Sequence, residues 1–348
     1  MCSSVLVVKN TFICVLDDLE AASPCLRTVR AHHRAQSDSI VSPDYLATHS
    51  SDLVSNGSEQ SDSSKDSRIV TWTHALDAGG VQATAAVAEI VDNVATLAFE
   101  PLGSHAVQRA LEVATPEEAY RLASGLHGRV VAAAKSVHAN SVLQKIIYHV
   151  GTRDSTFLAC ELQGWGRVIG LNASGSGVLC RLLEFSAREP MVVALVDEVL
   201  AKDAAALCCH KCGHRVAMSI ISNGLERQRS RVIGALLEGG LQRFARHRFA
   251  AHVLEHALAQ GSVAEVGLLA AALMAQAGAV VSLACHGFGV QIVRGLLDVP
   301  QVSKIVRRYL QKAVPKLRKD KYGSALVDEL GLQDPEDSWV TAFAAGGA

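Results

Sequence analysis

From about Thr71 to about Leu332 the chain sets apolar and polar positions at helical spacing. Within that stretch one order of positions recurs: a small residue, two variable ones, two mostly aliphatic ones, a variable one, then an apolar run. It reads as Gly103-Ser-His-Ala-Val-Gln-Arg-Ala-Leu-Glu112, Ala139-Asn-Ser-Val-Leu-Gln-Lys-Ile-Ile-Tyr148 and Gly175-Ser-Gly-Val-Leu-Cys-Arg-Leu-Leu-Glu184. It returns as Gly213-His-Arg-Val-Ala-Met-Ser-Ile-Ile-Ser222, Ala250-Ala-His-Val-Leu-Glu-His-Ala-Leu-Ala259, Gly289-Val-Gln-Ile-Val-Arg-Gly-Leu-Leu-Asp298 and Gly323-Ser-Ala-Leu-Val-Asp-Glu-Leu-Gly-Leu332. The first variable positions fall at 104, 140, 176, 214, 251, 290 and 324, spaced by 36, 36, 38, 37, 39 and 34 residues. Further helical stretches lie between copies, such as Val192-Val-Ala-Leu-Val-Asp-Glu-Val-Leu200. Each unit therefore holds more than one helix and cannot bury its apolar face alone. Stacked units share one continuous core, so the pattern predicts an all-α fold, an α-solenoid over residues 71–348.

Counting from the first variable residue, positions 3, 4, 7 and 8 form the apolar stripe (Ala106, Val107, Ala110 and Leu111 in the first copy). Positions 1, 2 and 5 are expected together on another face, since 1 and 5 are one turn apart. The first two copies carry Ser104, His105, Gln108 and Asn140, Ser141, Gln144 there. Such amides and hydroxyls suit an ordinary solvated face, or hydrogen bonding to a polymer of similar pitch.

Ahead of the periodic body, residues 36–68 hold 11 serines in 33 positions. So polar a segment cannot offset its ordering entropy by burial, and residues 1–70 are expected to be a mostly disordered tail. Residues 1–35 read as a short strand or helix. The 348 residues carry 33 Lys+Arg against 34 Asp+Glu, and the body from residue 71 has 27 basic and 25 acidic side chains. No large basic field marks a nucleic-acid partner. Apolar residues make up 49% and aromatics 5%, a balance that favours packed helices over sheet. No apolar run reaches membrane-spanning length, and the first 20 residues lack a secretory pattern. Nine scattered cysteines read as reduced thiols in an intracellular protein.

The units resemble Pumilio repeats, whose helices read single-stranded RNA one base per repeat. Gly103-Ser-His-Ala-Val-Gln-Arg-Ala-Leu-Glu112 and Asn140-Ser-Val-Leu-Gln-Lys145 are similar to the family's helix. His247-Arg-Phe-Ala-Ala-His-Val-Leu-Glu-His256 resembles its seventh repeat, and Leu317-Arg-Lys-Asp-Lys-Tyr-Gly-Ser-Ala-Leu-Val-Asp-Glu-Leu330 its closing half-repeat. The resemblance covers about residues 80–332 and implies a right-handed, curved solenoid of the Pumilio and armadillo kind. It also implies that positions 1 and 5 bond a base edge while position 2 stacks between bases. Ser104/Gln108 would then prefer adenine, Asn140/Gln144 uracil, and Glu255 guanine, whose N–H groups suit a carboxylate. His105, Arg215 and His252 would stack.

The other copies depart from the family's pairs: Ser176/Cys180, His214/Met218 and Val290/Arg294 match none, Ala251 lacks a hydroxyl, and Gly177 and Ser141 offer little stacking area. Gln291 takes position 2 in the sixth copy. Six readers remain where the family has eight, so further repeats are expected to be absent or hidden in residues 1–100. Position 6 is Arg109, Lys145 and Arg181 in three consecutive copies, either phosphate contacts or plain surface charge.

Three motifs compete. His252-Val-Leu-Glu-His256 matches a zinc-peptidase pattern, but the same residues fit the repeat register. Cys208-Cys-His-Lys-Cys212 with His214 has no second cysteine pair at finger spacing and reads as buried thiols. Gly164-Trp-Gly-Arg-Val-Ile-Gly170 misses the dinucleotide spacing by one. No metal, cofactor or catalytic group is therefore expected.

The chain is thus expected to be a non-catalytic, monomeric, cytoplasmic protein binding single-stranded RNA, with messenger RNA 3′ untranslated regions as targets and protein co-regulators as further partners. A nucleolar ribosome-biogenesis factor that binds ribosomal RNA is the alternative, motivated by the irregular triads. A protein scaffold like HEAT or armadillo arrays is the third reading, motivated by the near-neutral body.

Overall fold

The computed structural model describes residues 5–9, 12–16, 59–151 and 155–333, in two compact units, Met1–Glu59 and Gln60–Ala348. In the first unit β1 (Val5–Lys9) and β2 (Phe12–Leu16) pair antiparallel, Val5 opposite Leu16 and Lys9 opposite Phe12. A short strand was one of the two readings open for this stretch. The serine-rich residues 36–58 lie outside the described residues.

The second unit is helical from its first residues. The tail expected through residue 70 therefore ends earlier, because α1 (Glu59–Ala78) already includes its last residues. Ile69, Trp72 and Leu76 recur at helical spacing and join the core, while residues 64–68 stay exposed. The Trp72 indole N–H donates to Glu89 at 2.9 Å, which ties α1 to α2 (Gly80–Leu97). Of the three apolar residues, only Ile69 falls within the expected tail, and it has a partner to bury against.

The recurring pattern forms α3 (Pro101–Val113), α6 (Ala139–Val150), α9 (Gly175–Ser186), α12 (Gly213–Asn223), α15 (Ala250–Gln260), α18 (Gly289–Asp298) and α21 (Lys321–Leu330). Short helices precede the later copies: α5 (Val130–Lys135), α8 (Gly166–Gly170), α11 (Ala204–Cys209), α14 (Leu241–Phe244), α17 (Ala279–Ala284) and α20 (Val314–Leu317). Flanking helices follow the first six: α4 (Pro116–Ser124), α7 (Thr156–Glu161), α10 (Pro190–Leu200), α13 (Glu226–Glu238), α16 (Val263–Met274) and α19 (Pro300–Lys312). Each recurring helix packs on the next, α3 on α6 and so on to α18, and α18 touches α21. The flanking helices α7, α10, α13 and α16 form a second row. The result is the expected α-solenoid. No copy of the pattern precedes α3 among the described residues, where the helical pair α1–α2 stands instead.

Positions 3, 4, 7 and 8 are buried in the first five copies, from Ala106, Val107, Ala110 and Leu111 to Val253, Leu254, Ala257 and Leu258. Where a glycine opens the copy, it has a steric cause. A Cβ on Gly289 would lie 2.6 Å from the Leu283 carbonyl oxygen, and one on Gly103 2.5 Å from that of Leu97. These recurring helices thus start against the backbone that precedes them. Three residues ahead of the small one sits a cap. The side chains of Ser136, Asn172, His210, His247, His286 and Asp320 each accept from the backbone N–H groups two and three residues on. Chemically different residues do one job because only an acceptor atom at that distance is required. The three histidines accept through Nδ1, so their ring proton sits on Nε2.

Replacing Gly289 by Val is expected to cost about 1–3 kcal/mol, the usual penalty of overpacking against a backbone that cannot give way. Chemical denaturation measures it, and a variant as stable as the parent contradicts the close approach. His286→Ala is expected to lose about 1 kcal/mol and His286→Asn to recover most of it, as a cap would.

Candidate functional site

Helical geometry explains which side chains of the row stay open. With about 100° per residue, positions 5, 2 and 6 fall on the arc opposite the apolar stripe. Position 1 lies only about 20° from buried position 8. Accordingly Ser104 (2% exposed), Ser176 (0%), Ala251 (3%) and Val290 (4%) are buried, whereas Asn140 and His214 are partly open. This corrects the expectation that positions 1, 2 and 5 share one exposed face. In those four units position 1 forms the floor of the row, whereas in the second unit Gln144 at position 5 is itself buried.

The predicted side chains come together across unit boundaries. The Gln108 amide donates to the Ser141 hydroxyl at 3.2 Å, position 5 of one unit meeting position 2 of the next. The Gln144 amide repeats the relation, lying so close to Gly177 that a Cβ there would be 3.0 Å from Nε2. The bare Gly177 is thus what lets Gln144 reach the next helix. Within units, Gln144 donates to Asn140 Oδ1 at 3.0 Å, and the Asn140 amide donates to the Ser136 and Val137 carbonyls. Ser104 and Ser176 donate their hydroxyls to Pro101 and Ala173. Gln144 Oε1 is buried with no hydrogen-bond partner among the described residues.

Farther along, the His214 ring stacks on Phe249 (centroids 5.1 Å apart, planes 25°) and faces His252 at 6.3 Å. Phe249 was missed by reasoning on the triad alone. Its signal was present, since an aromatic stands two residues before position 1 in the last three copies: Phe249, Phe288 and Tyr322. Exposed Tyr148, at position 9 and in edge contact with Phe185, was missed as well. His105 and His252 are exposed, Arg215 is partly so, and His252 lies 3.8 Å from Glu255. Met218 and Gln291 are partly buried on the same row.

The row carries little uncompensated positive charge. Arg109 pairs with Asp77 and Glu112, Lys145 with Glu112, Arg181 with Glu184 and Arg294 with Glu329. Position 6 therefore serves internal ion pairs. Burial pulls the Glu112 carboxyl upward, but its bonds to Lys145 and Arg109 outweigh that and hold it below the ordinary value.

Nothing in the geometry favours the competing motifs. His256 is held by Ser222 at 2.6 Å, and no group of three or more His, Cys, Asp or Glu among the described residues is placed to hold a metal ion. Burial pushes the Cys208 thiol up to about 12, as expected of a packed thiol, and that of Cys180 up to about 11. No helix among the described residues is long and apolar enough to cross a membrane.

Comparison with known proteins meets the same units. The family model of the Pumilio-family RNA binding repeat matches residues 93–127, 129–162 and 204–237. Three units of the solenoid, within residues 93–237, are thus recognised as Pumilio-family RNA binding repeats. Over 185 residues it is 28% identical to a putative pumilio homolog 10 of Arabidopsis thaliana, covering 52% of this chain and 34% of that protein. It thus spans about a third of that relative's length. Its fold is similar to that of PUF-8 in complex with PBE-RNA, with a TM-score of 0.63 at 21% identity over 80% of this chain and 86% of that one. It is also similar to the Puf3 RNA binding domain bound to Cox17 RNA 3′ UTR recognition sequence site A, with a TM-score of 0.64 at 18% identity, covering 72% and 77%. The first match begins at residue 93, so the last turns of α2 serve the first Pumilio unit as its short helix. Pumilio repeats are binding modules, not enzymes.

His214 gives the row a pH dependence. Burial, aided by the neighbouring His252 and Arg215, holds its pKa below the ordinary 6.5, against hydrogen bonds with the His210 and Lys211 backbone. The fold therefore prefers the neutral ring, and the unfolded chain takes up the proton first. Stability is full above about pH 6.5 and falls as the pH drops from there towards the folded pKa. Denaturant midpoints across that window are expected to decline for the parent and less steeply for His214→Gln. Parallel profiles would count against this reading.

Proposed function

We propose that the chain binds single-stranded RNA along the open face of the row, one base to a unit, with positions 2 and 5 as the principal contacts. The observation that carries the reading is the Gln108 to Ser141 bond and its counterpart at Gln144 and Gly177. They set the polar atoms of successive units in one line at the repeat spacing. The orphaned Gln144 Oε1 adds to it, because an unpaired buried acceptor costs about 1–3 kcal/mol and a uracil N3–H would satisfy it once the amide turns outward. The RNA named with PUF-8 and Puf3 supports the same ligand class. In this reading Ser104/Gln108 takes adenine, Asn140/Gln144 uracil and Glu255 guanine, and His105 and His252 stack. The protein then acts in the cytoplasm on messenger RNA, in post-transcriptional control.

A second reading has its own support. His214 is engaged with Phe249, Arg294 with Glu329, and Cys180 and Met218 offer no base edge a matched donor and acceptor. Half of the units thus lack a reading pair, which suits lower selectivity and a ribosomal RNA target in the nucleolus.

Random-library selection on the full chain is expected to enrich adenine, uracil and guanine at the slots assigned above. Asn140→Ala with Gln144→Ala is expected to cost about 1–3 kcal/mol of affinity for the selected RNA at fixed salt. An unchanged dissociation constant would dismiss the uracil slot. Sequencing of crosslinked RNA separates the two readings by whether untranslated regions or ribosomal RNA predominate.

A further inference from the structure

The chain's positive charge is unevenly placed. Between residues 304 and 321 stand eight of the body's 27 basic side chains, Lys304, Arg307, Arg308, Lys312, Lys316, Arg318, Lys319 and Lys321, with Asp320 the one acid among them. The rest of the body has 19 basic and 24 acidic residues, so without this tract it is net negative. All eight are exposed. Of these eight, Arg318 alone is ion-paired to a described residue, with Asp328 at 3.2 Å. The row differs, since carboxylates of the chain already occupy Arg109, Lys145, Arg181 and Arg294.

The tract is contiguous along the chain and lies on three successive, packed helices. On α19, Lys304, Arg308 and Lys312 follow one another a turn apart, beside the exposed pair Ile305 and Tyr309. Val306 and Leu310 on the opposite side are fully buried, so the helix has spent its apolar face on the core. Lys316 continues the tract on α20, and Arg318, Lys319 and Lys321 carry it to the start of α21. There Tyr322 lies against Gly287, where a Cβ would be 3.0 Å from its hydroxyl, beside exposed Phe288 at the start of α18. The basic tract thus reaches the rim of the row itself. Lys321 sits over the Tyr322 ring at 5.9 Å.

We propose that residues 304–321 form a second binding site, independent of base sequence, for the phosphodiester backbone of RNA that runs past the end of the row. Charge complementarity identifies a polyanion. Two observations favour RNA over an anionic membrane: the tract is continuous with the row, and α19 has two exposed apolar side chains where a membrane-lying helix shows a full apolar face. Cations interleaved with tyrosines also suit a strand of phosphates and bases. This inference takes the identity of its polyanion from the RNA reading above.

The test uses the full chain and two probes, the short RNA selected on it and the same RNA extended by uridines at either end. Each phosphate neutralised adds about −0.7 to the logarithmic salt slope for a single strand, so four contacts add about −3. The wild type is expected to bind one extended probe more tightly, and with that steeper slope, than the short probe. Arg308→Ala/Lys312→Ala/Lys316→Ala/Lys319→Ala is expected to lose the extra slope and about 10- to 100-fold of affinity for the extended probe at low salt. It is expected to bind the short probe as the wild type does. Equal slopes on both probes, or an equal loss on both, would overturn the second site. So would phosphatidylserine vesicles capturing the wild type while the extensions add nothing. A wild type that binds neither probe overturns the RNA reading instead. Should the fourfold variant unfold, Lys312→Glu and Lys319→Glu singly give the same comparison.

Discussion

The unit of this fold cannot stand alone. A recurring helix of ten to thirteen residues with a four-position apolar stripe must find that stripe a partner, and the nearest partner is the next copy. Everything else follows from this adjacency. Glycine at five of the helix starts lets the backbone come within contact of the preceding carbonyl, and in six copies a capping side chain three residues earlier sets where the helix begins. With both ends of the relation fixed, the open arc of every recurring helix faces the same way. Side chains far apart in the sequence then become neighbours at a constant step.

That step is where binding capacity arises, and it is unequally realised. The first units use amides and hydroxyls that reach from helix to helix, while the middle of the row is filled by His214 on Phe249 and by weakly polar Cys180 and Met218. Carboxylates on and beside the row pair with Arg109, Lys145, Arg181 and Arg294. A strand bound there as proposed would be held mainly by hydrogen bonds and stacking, and long-range attraction would fall to the basic end of the solenoid.

Much of this was legible along the chain. Strict spacing of Ala106/Val107, Val142/Leu143 and their counterparts revealed the repeat, because a core position tolerates few residue types. The match of Gln108 with Gln144, and of Ser104 with Asn140, marked the polar line for the same reason. Other features were hidden. The polar tail expected through residue 70 took in Ile69, since average polarity says nothing of a single apolar position that continues the stripe of Trp72 and Leu76. The cap was hidden too, because serine, asparagine, histidine and aspartate look unrelated until their acceptor atoms are placed.

The amino-acid order by itself determined that there are seven copies, that they are helical, and which four positions of each are apolar, because burial imposes a period that survives divergence. It could not determine that Arg109, Lys145 and Arg294 are already paired with carboxylates of other helices. Those outcomes depend on distances of a few ångströms between side chains some thirty residues apart. Only packing sets such distances, and so the tertiary structure decided which polar groups remain free to bind.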